Sequence, residues 1–257
     1  MEFADTHAHL TLGELAADPE AAWERARAAG VTRIILVGID AASSRTALEF
    51  AENREGLFVS AGIHPNESGN VDLEEEMAAV AALLEHPKVV AVGETGIDLY
   101  WKKTDLDTQV RALEAHAEMA LAGDLPLVLH LRDAFAEAAG VLAPFAARGL
   151  RSVVHCFTGG PEDLPPFLDM GCSISFSGIL TYSGAGRIRE AAALVPAERC
   201  LLETDAPWLT PRRHRGRTNE PAFLTATAEA LAGARGCSLA EIAALTTANA
   251  LRTFRLD

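Results

Sequence analysis

The segment PLVLH, residues 126–130, shows the pattern on which the fold prediction rests. It is short, apolar and bounded by polar residues, which is typical of a parallel strand buried on both faces. Seven other segments share this character, and longer alanine-rich amphipathic stretches separate nearly all of them. The predicted strands are residues 3–9, 32–37, 57–63, 89–94, 126–130, 152–156, 172–176 and 200–205.

Eight strands alternating with helices favour an α/β fold of the (β/α)8 TIM-barrel type, in which right-handed helical crossovers join parallel strands. The competing doubly wound open sheet is expected to carry a glycine-rich phosphate loop, and neither GxGxxG nor GxxxxGK[ST] occurs. Two helix starts are marked, by the Asp18-Pro19 pair and by the capping box SLAE at 238–241. We predict that residues 1–257 form a single barrel domain.

Composition restricts the function classes. Lys and Arg number 22 against 36 Asp and Glu, a net charge of −14, which argues against a surface that coats nucleic acid broadly. A local phosphate site stays open, because bound cations can supply positive charge there. The four cysteines form no CxxC pair, and the sequence shows no signal peptide or membrane span. We therefore expect a cytoplasmic protein with no obligate protein partner.

Metal-binding residue types recur where the predicted strands end. These positions carry DTHAH (5–9), GIH (62–64), GE (93–94), His130, His155 and ETD (203–205). The carboxyl ends of barrel strands meet at one rim, where the active sites of TIM barrels lie. Mixed imidazole and carboxylate donors suit zinc, manganese, cobalt, nickel or iron, and magnesium where oxygen predominates. The pattern predicts a metal centre at this rim.

Each donor has its own argument and its own alternative. His7 and His9 are two residues apart on a strand, so both imidazoles point the same way and can bind one ion. Glu94, aimed into a cavity, can bridge two ions, although an ion-paired core glutamate is the alternative. A lone histidine at a strand end is more often structural than a ligand. Asp5 shares the face of His7 but lies deeper, which favours a supporting role.

Seven motifs occur in the order typical of one family. They are DTHAH (5–9), GIHP (62–65), GETGID (93–98), PLVLHLRDA (126–134), HCFTG (155–159), ETDAP (203–207) and NEP (219–221). On these motifs the chain resembles the TatD family of metal-dependent deoxyribonucleases, a branch of the amidohydrolase-like TIM barrels. The sequence departs from the family pattern at residues 99–101 and 211–216, where substrate is expected to bind.

The resemblance implies a centre of two divalent ions, with Mg²⁺, Mn²⁺ and Zn²⁺ as candidates. One ion is expected at His7, His9, Glu94 and Asp205. The second is expected at Glu94, His130 and His155, so that Glu94 bridges the pair. His64 and Glu203 match family positions that assist substrate or metal binding, and we count both with Asp205 as catalytic candidates.

The expected reaction is metal-assisted hydrolysis of a phosphodiester. The ions lower the pKa of a water and stabilise charge on the phosphoryl oxygens, and Asp205 is the candidate general base. A narrow rim in an acidic protein favours a DNA strand end, single-stranded or frayed, as the substrate. Exonuclease action from 3′ to 5′ is implied by the resemblance alone.

Candidate substrate contacts flank the metal motifs. Four arginines lie within residues 212–217, either as a solvated loop or as a phosphate clamp, and we select Arg213 and Arg215. Tyr100, beside Trp101, can stack on an unpaired base or simply pack at the rim. Arg132, in the PLVLHLRDA motif, is the remaining candidate.

Two other functions stay open at this point. One is a metal-dependent hydrolase of a small-molecule ester, lactone, amide or phosphotriester, which needs no arginine clamp. The other is a metal-binding or nucleic-acid-binding module without catalysis, which the full set of donors disfavours.

Overall fold

The computed structural model describes residues 1–256. Eight parallel strands form one sheet in sequential order. They are β1 (Phe3–Ala8), β2 (Val31–Val37), β3 (Leu57–Ala61), β4 (Val89–Asp98), β5 (Leu127–Arg132), β6 (Ser152–Val154), β7 (Ser173–Phe176) and β8 (Cys200–Leu202). The helices are α1 (Pro19–Ala28), α2 (Ala41–Ala51), α3 (Leu73–Leu83), α4 (Leu106–Ala122), α5 (Phe135–Ala146), α6 (Leu164–Asp169), α7 (Gly186–Leu194), α8 (Leu224–Arg235) and α9 (Leu239–Phe254).

The sheet closes into a barrel just beyond β8. Ala8 and Ala206 form a parallel bridge. The Asp205 N–H donates to the His7 carbonyl at 2.9 Å, and the His9 N–H donates to the Ala206 carbonyl at 2.7 Å. The predicted (β/α)8 barrel is therefore confirmed, and its seam lies beside the DTHAH and ETD motifs.

Burial on both faces of the strands explains why they were recognisable. All ten residues of β4 and all six of β1 are buried, because the barrel interior covers one face and the helices cover the other. The two marked helix starts are also confirmed: Asp18 accepts from the Ala21 N–H, and Ser238 forms a reciprocal capping box with Glu241. Within residues 1–256, every helix is too short or too polar to span a bilayer.

The strand ends need correction. β4 continues to Asp98 and β5 to Arg132, so Glu94 and His130 lie within strands and not at their ends. Conversely, β8 stops at Leu202, so Asp205 follows the strand. Asp205 has a φ of +57°, a conformation that a pleated strand cannot contain. The strands β1, β3 and β6 likewise end before His9, His64 and His155.

Gly93 provides the backbone conformation that β4 needs directly before Glu94. The register with β5 shifts between Val92 and Thr95, and Gly93 has a φ of +123°. A Cβ on Gly93 would lie 2.5 Å from the Val128 carbonyl oxygen. Only glycine fits this position, and the residue that follows it is Glu94.

Candidate metal centre

The Glu94 carboxylate lies at the centre of five imidazoles. Its exposed fraction is 3%, and it lies inside the barrel near the carboxyl ends of the strands. From Oε2 the distances are 3.1 Å to His155 Nε2, 3.4 Å to His7 Nε2 and 3.7 Å to His130 Nδ1. From Oε1 they are 3.8 Å to His9 Nε2 and 4.0 Å to His64 Nε2. Both oxygens therefore face imidazoles, and either oxygen could serve as a metal ligand.

Asp205 adds a second carboxylate to this cluster. Its Oδ1 lies 3.5 Å from His9 Nε2 and 3.8 Å from His7 Nε2, and those two nitrogens are 3.1 Å apart. Ligand atoms bound about 2.1 Å from one ion in tetrahedral or octahedral geometry are themselves roughly 3.0–3.4 Å apart. The 3.1 Å spacing of the two nitrogens lies in this range, whereas the 3.5 and 3.8 Å distances to Asp205 Oδ1 are longer, so Asp205 would have to move closer to share an ion with them.

Hydrogen bonds outside the cluster orient two of the imidazoles. His9 Nδ1 donates to the Val37 carbonyl at 2.8 Å, so in the neutral imidazole the lone pair lies on Nε2, toward Glu94 and Asp205. His155 Nδ1 lies 3.1 Å from Glu203 Oε1 and donates to it, which leaves its Nε2 free in the same way. Such partners fix the tautomer of a metal-binding histidine and raise its basicity. The structure therefore places Glu203 behind His155.

Asp98 orients the third imidazole, and the sequence prediction had given it no role. His130 Nε2 donates to Asp98 Oδ2 at 3.2 Å, which leaves Nδ1 free toward Glu94. Asp98 also accepts from Asn66 Nδ2 and from the Trp101 N–H. Burial raises its pKa, but these hydrogen bonds outweigh burial and hold the pKa well below its usual value. The available signal was spacing, because residues four apart on a strand share a face.

His64 is bonded in the opposite sense. Its Nδ1 accepts from the Asn66 N–H at 3.0 Å, so Nε2 carries the proton and points toward Glu94. Burial, reinforced by His130, lowers the pKa of His64 to about 3, so the imidazole is neutral. His64 thus presents a hydrogen-bond donor on the side where neutral His9, His130 and His155 present lone pairs.

Buried polar atoms without a hydrogen-bond partner indicate whether this cluster can accommodate a cation. Among the described residues, Glu94 Oε2 and His7 Nδ1 are buried without a hydrogen-bond partner. Burial alone would raise the pKa of Glu94, but His7, His64 and His155 together hold it well below its usual value. A buried anion lacking donors is costly unless a cation is present. The mixed nitrogen and oxygen donors therefore fit a divalent metal.

Asp5 supports the seam instead of joining the donors. Its carboxylate accepts from the Thr204 N–H at 3.0 Å, from the Thr204 hydroxyl at 2.5 Å and from the His7 N–H at 3.2 Å. Burial raises the pKa of Asp5 to about 7, although the Thr204 hydrogen bonds oppose the shift. Its position agrees with the deeper supporting role expected from the sequence.

The cluster opens into a cavity of about 420 Å³ at the barrel rim. Arg132 lines this cavity, and its guanidinium lies 4.5 Å from the centre of the Tyr100 ring. Trp101 and Trp208 also line it, with exposed fractions of 59% and 47%. Sequence reasoning gave Trp208 no role, although the residue directly follows the ETDAP motif. Its ring lies 5.0 Å from that of His9.

The four loop arginines separate into two kinds. Arg213 forms an ion pair with Glu229, and Arg217 lies over the Phe223 ring at 4.7 Å. Neither lines the metal cavity. Arg212 and Arg215 line a neighbouring groove instead. The structure therefore brings Arg132 to the metal cavity and Arg215 near it, but it holds Arg213 away.

The barrel and its rim of imidazoles and carboxylates define the class of metal-dependent TIM-barrel hydrolases. A profile of the family described as TatD related DNase matches residues 4–255. The chain belongs to this family, and it is a metal-dependent hydrolase.

Individual relatives agree with this assignment. An uncharacterized metal-dependent hydrolase, YabD of Bacillus subtilis, is 36% identical over 98% of this chain and 99% of its own. The 3′-5′ ssDNA/RNA exonuclease TatD of Pantoea vagans is 37% identical, with the same shares covered. The crystal structure of YjjV, a TatD homologue from Escherichia coli, has a TM-score of 0.93 and 31% identity over 99% of this chain and 98% of its own.

Proposed function

We propose that this hydrolase is a nuclease that removes nucleotides from the 3′ end of single-stranded or frayed DNA, using two divalent ions. The observation that carries the proposal is the Glu94 carboxylate, whose two oxygens face five imidazole nitrogens within 4.0 Å. Support for the polarity and for a single-stranded substrate comes from the Pantoea relative, which is named a 3′-5′ ssDNA/RNA exonuclease. Mg²⁺, Mn²⁺ and Zn²⁺ are the candidate ions.

The donors divide between two ion positions around Glu94. We assign one position to His7, His9, Glu94 and Asp205. We assign the other to Glu94, His130 and His155. Bound there, the ions supply Lewis-acid stabilisation of the phosphoryl oxygens and lower the pKa of a bound water.

The protein side chains then perform the remaining tasks. Asp205 is 14% exposed and lines the cavity, so its carboxylate can accept the proton of the attacking water. The Nε2–H of His64 donates to an oxygen of the scissile phosphate. Glu203 and Asp98 act as positioning residues, because each holds one imidazole in the tautomer that faces Glu94.

The cavity lining suits a terminal nucleotide. Arg132 supplies a guanidinium for a phosphate oxygen, and Trp101 and Trp208 supply exposed rings on which a base can stack. Tyr100 supports this arrangement from beneath the Arg132 guanidinium. We assign no phosphate to Arg213, whose charge is paired with Glu229.

A 5′-labelled oligonucleotide tests the proposal. With Mg²⁺ or Mn²⁺, wild-type protein should shorten the labelled strand one nucleotide at a time, and Asp205→Asn should reduce the rate at least a hundredfold while the melting temperature stays within a few degrees. Undiminished cleavage by Asp205→Asn contradicts the assigned base. If no oligonucleotide is cut but esters, lactones or phosphotriesters are hydrolysed, the small-molecule alternative replaces the nuclease.

A further inference from the structure

A second groove joins the metal cavity at Ile179. It has a volume of about 530 Å³, and Ile179 lines both spaces. Its lining includes Tyr182, Thr210, Arg212 and Arg215, together with residues 183–185. We call this space the Tyr182 groove. Its size is within the usual range of about 300–1,000 Å³ for small-molecule sites.

The charge of this groove is opposite to that of the whole protein. The chain has a net charge of −14, yet none of the residues lining the groove is acidic. Within residues 1–256, Arg212 and Arg215 have no carboxylate within 4.0 Å, whereas Arg213 and Arg217 do. Of the four arginines within residues 212–217, the two without an ion pair are the two that line the groove. Unpaired guanidinium groups are well suited to phosphate oxygens.

Tyr182 is held in a fixed place beside these arginines. Its carbonyl accepts from Arg189 Nη1 at 2.9 Å, and the same nitrogen donates to the Leu180 carbonyl at 3.0 Å. The Thr181 hydroxyl accepts from the Arg212 N–H at 2.8 Å, which ties the arginine loop to the same turn. The Tyr182 side chain remains 36% exposed. A phenol ring fixed at its backbone and open to solvent can serve as a stacking surface.

The start of α7 adds a further feature that favours anions. The helix begins at Gly186, its N-cap Ala185 lines the groove, and no side chain caps it. Its first turn contains no acidic residue. The unpaired N–H groups there add positive potential to that of Arg212 and Arg215.

We propose that the Tyr182 groove binds the nucleotide next to the one held at the metal centre. Its base stacks on Tyr182, and Arg215, with Arg212, contacts its phosphate. This inference rests on the proposed nuclease function and adds a length requirement to it. The enzyme then prefers strands long enough to fill both spaces over a substrate with a single nucleotide.

Two substrates of different length test the groove. One is pentathymidylate, and the other is the p-nitrophenyl ester of thymidine 5′-phosphate, which has only one nucleotide. Tyr182→Ala should lower kcat/KM for pentathymidylate about tenfold, mainly through KM, because stacking on one aromatic ring accounts for a change of this order. It should leave kcat/KM for the ester unchanged, and Tyr182→Phe, which keeps the ring, should restore the wild-type value. Arg215→Ala should reproduce the loss, whereas Arg111→Ala, which removes an exposed charge on α4, should not.

Binding provides a readout apart from turnover. Fluorescence anisotropy of labelled pentathymidylate, with Asp205→Asn as the common background to keep the strand uncut, should show about tenfold weaker binding for Tyr182→Ala. Suppose that wild type cuts the strand. If Tyr182→Ala then has the same kcat/KM and binding affinity as the protein with Tyr182, or lowers kcat/KM equally for both substrates, the groove assignment is wrong while the nuclease stands. If no strand is cut with any ion but Tyr182→Ala still weakens binding, the nuclease is wrong while the groove stands.

Discussion

Single hydrogen bonds decide what four of the five imidazoles of the cluster can do. The Asp98 carboxylate holds the proton of His130 on Nε2, so His130 Nδ1 faces Glu94 as a lone pair. Asp98→Asn removes the charge that favours this tautomer. We expect metal affinity to fall about 10- to 100-fold, measured by competition with a chelating dye. Asp107→Asn, the same change at an exposed site on α4, is the control, and equal affinities would show that Asp98 does not orient His130.

Residue periodicity predicted part of this cluster and missed the rest. His7 and His9 were identified because a strand presents alternate residues to one side, and Glu94 because a carboxylate at the end of a buried strand is costly unless it is paired or bound to a metal. The sense of each hydrogen bond was not predictable, since Val37 and Glu203 meet their histidines only after folding. The proton on His64 Nε2 depends on the backbone N–H of Asn66, so the amino-acid composition does not reveal it. This proton distinguishes His64 from His9, His130 and His155.

Between elements, His116 links α4 to the segment after β3. Its Nδ1 donates to the Ala112 carbonyl at 2.6 Å, and its Nε2 accepts from the Ile63 N–H at 2.9 Å. Burial lowers the pKa of His116 to about 4, below the ordinary value of 6.5. As pH falls, the unfolded chain therefore binds a proton at this histidine before the folded protein does. The contribution of neutral His116 to the free energy of unfolding is thus complete above pH 6.5 and is lost as pH falls toward 4.

Urea denaturation at pH 8 and pH 5 measures this effect. Relative to His116→Gln, which has no titrating group, the free energy of unfolding of wild type should fall by about 2 kcal/mol between the two values. Comparing the two proteins cancels the other titrating groups. Parallel pH profiles would mean that His116 is not a buried neutral imidazole.

The elements themselves were more predictable than their ends. Strand interiors are apolar because both faces are covered, and this left eight recognisable runs. Strand ends were less predictable, because site residues lie on both sides of them. Glu94 and His130 lie within β4 and β5, whereas β8 ends at Leu202 and Asp205 adopts its positive φ beyond it.

For the whole molecule, positive charge near the site is local. With a net charge of −14, two unpaired guanidinium groups in the Tyr182 groove and Arg132 at the metal cavity, we expect single-stranded DNA to displace few counterions. The logarithm of the binding constant should fall against the logarithm of salt concentration with a slope of about −2, the value for roughly three phosphate contacts. Anisotropy titrations at salt concentrations from about 50 to 300 mM measure this slope. A slope several times steeper would reveal a broad cationic surface.

The sequence alone could not have shown which loop arginines are unpaired. Arg213 and Arg215 are two residues apart and looked equivalent, but Glu229, on α8, pairs with Arg213. Pairing across elements depends on how the helices pack around the barrel. The metal donors could be predicted because the barrel brings all strand ends to one rim, a rule that does not extend to its loops.

The barrel seam also bears on when the hydrolase can form during synthesis. Asp5 and Thr204 hold β1 against the segment after β8, although they are 199 positions apart in the chain. A nascent chain emerging from the ribosome exposes its first two histidines long before their aspartate has been translated. The full set of metal-binding side chains is therefore present only after residue 205 has been synthesised.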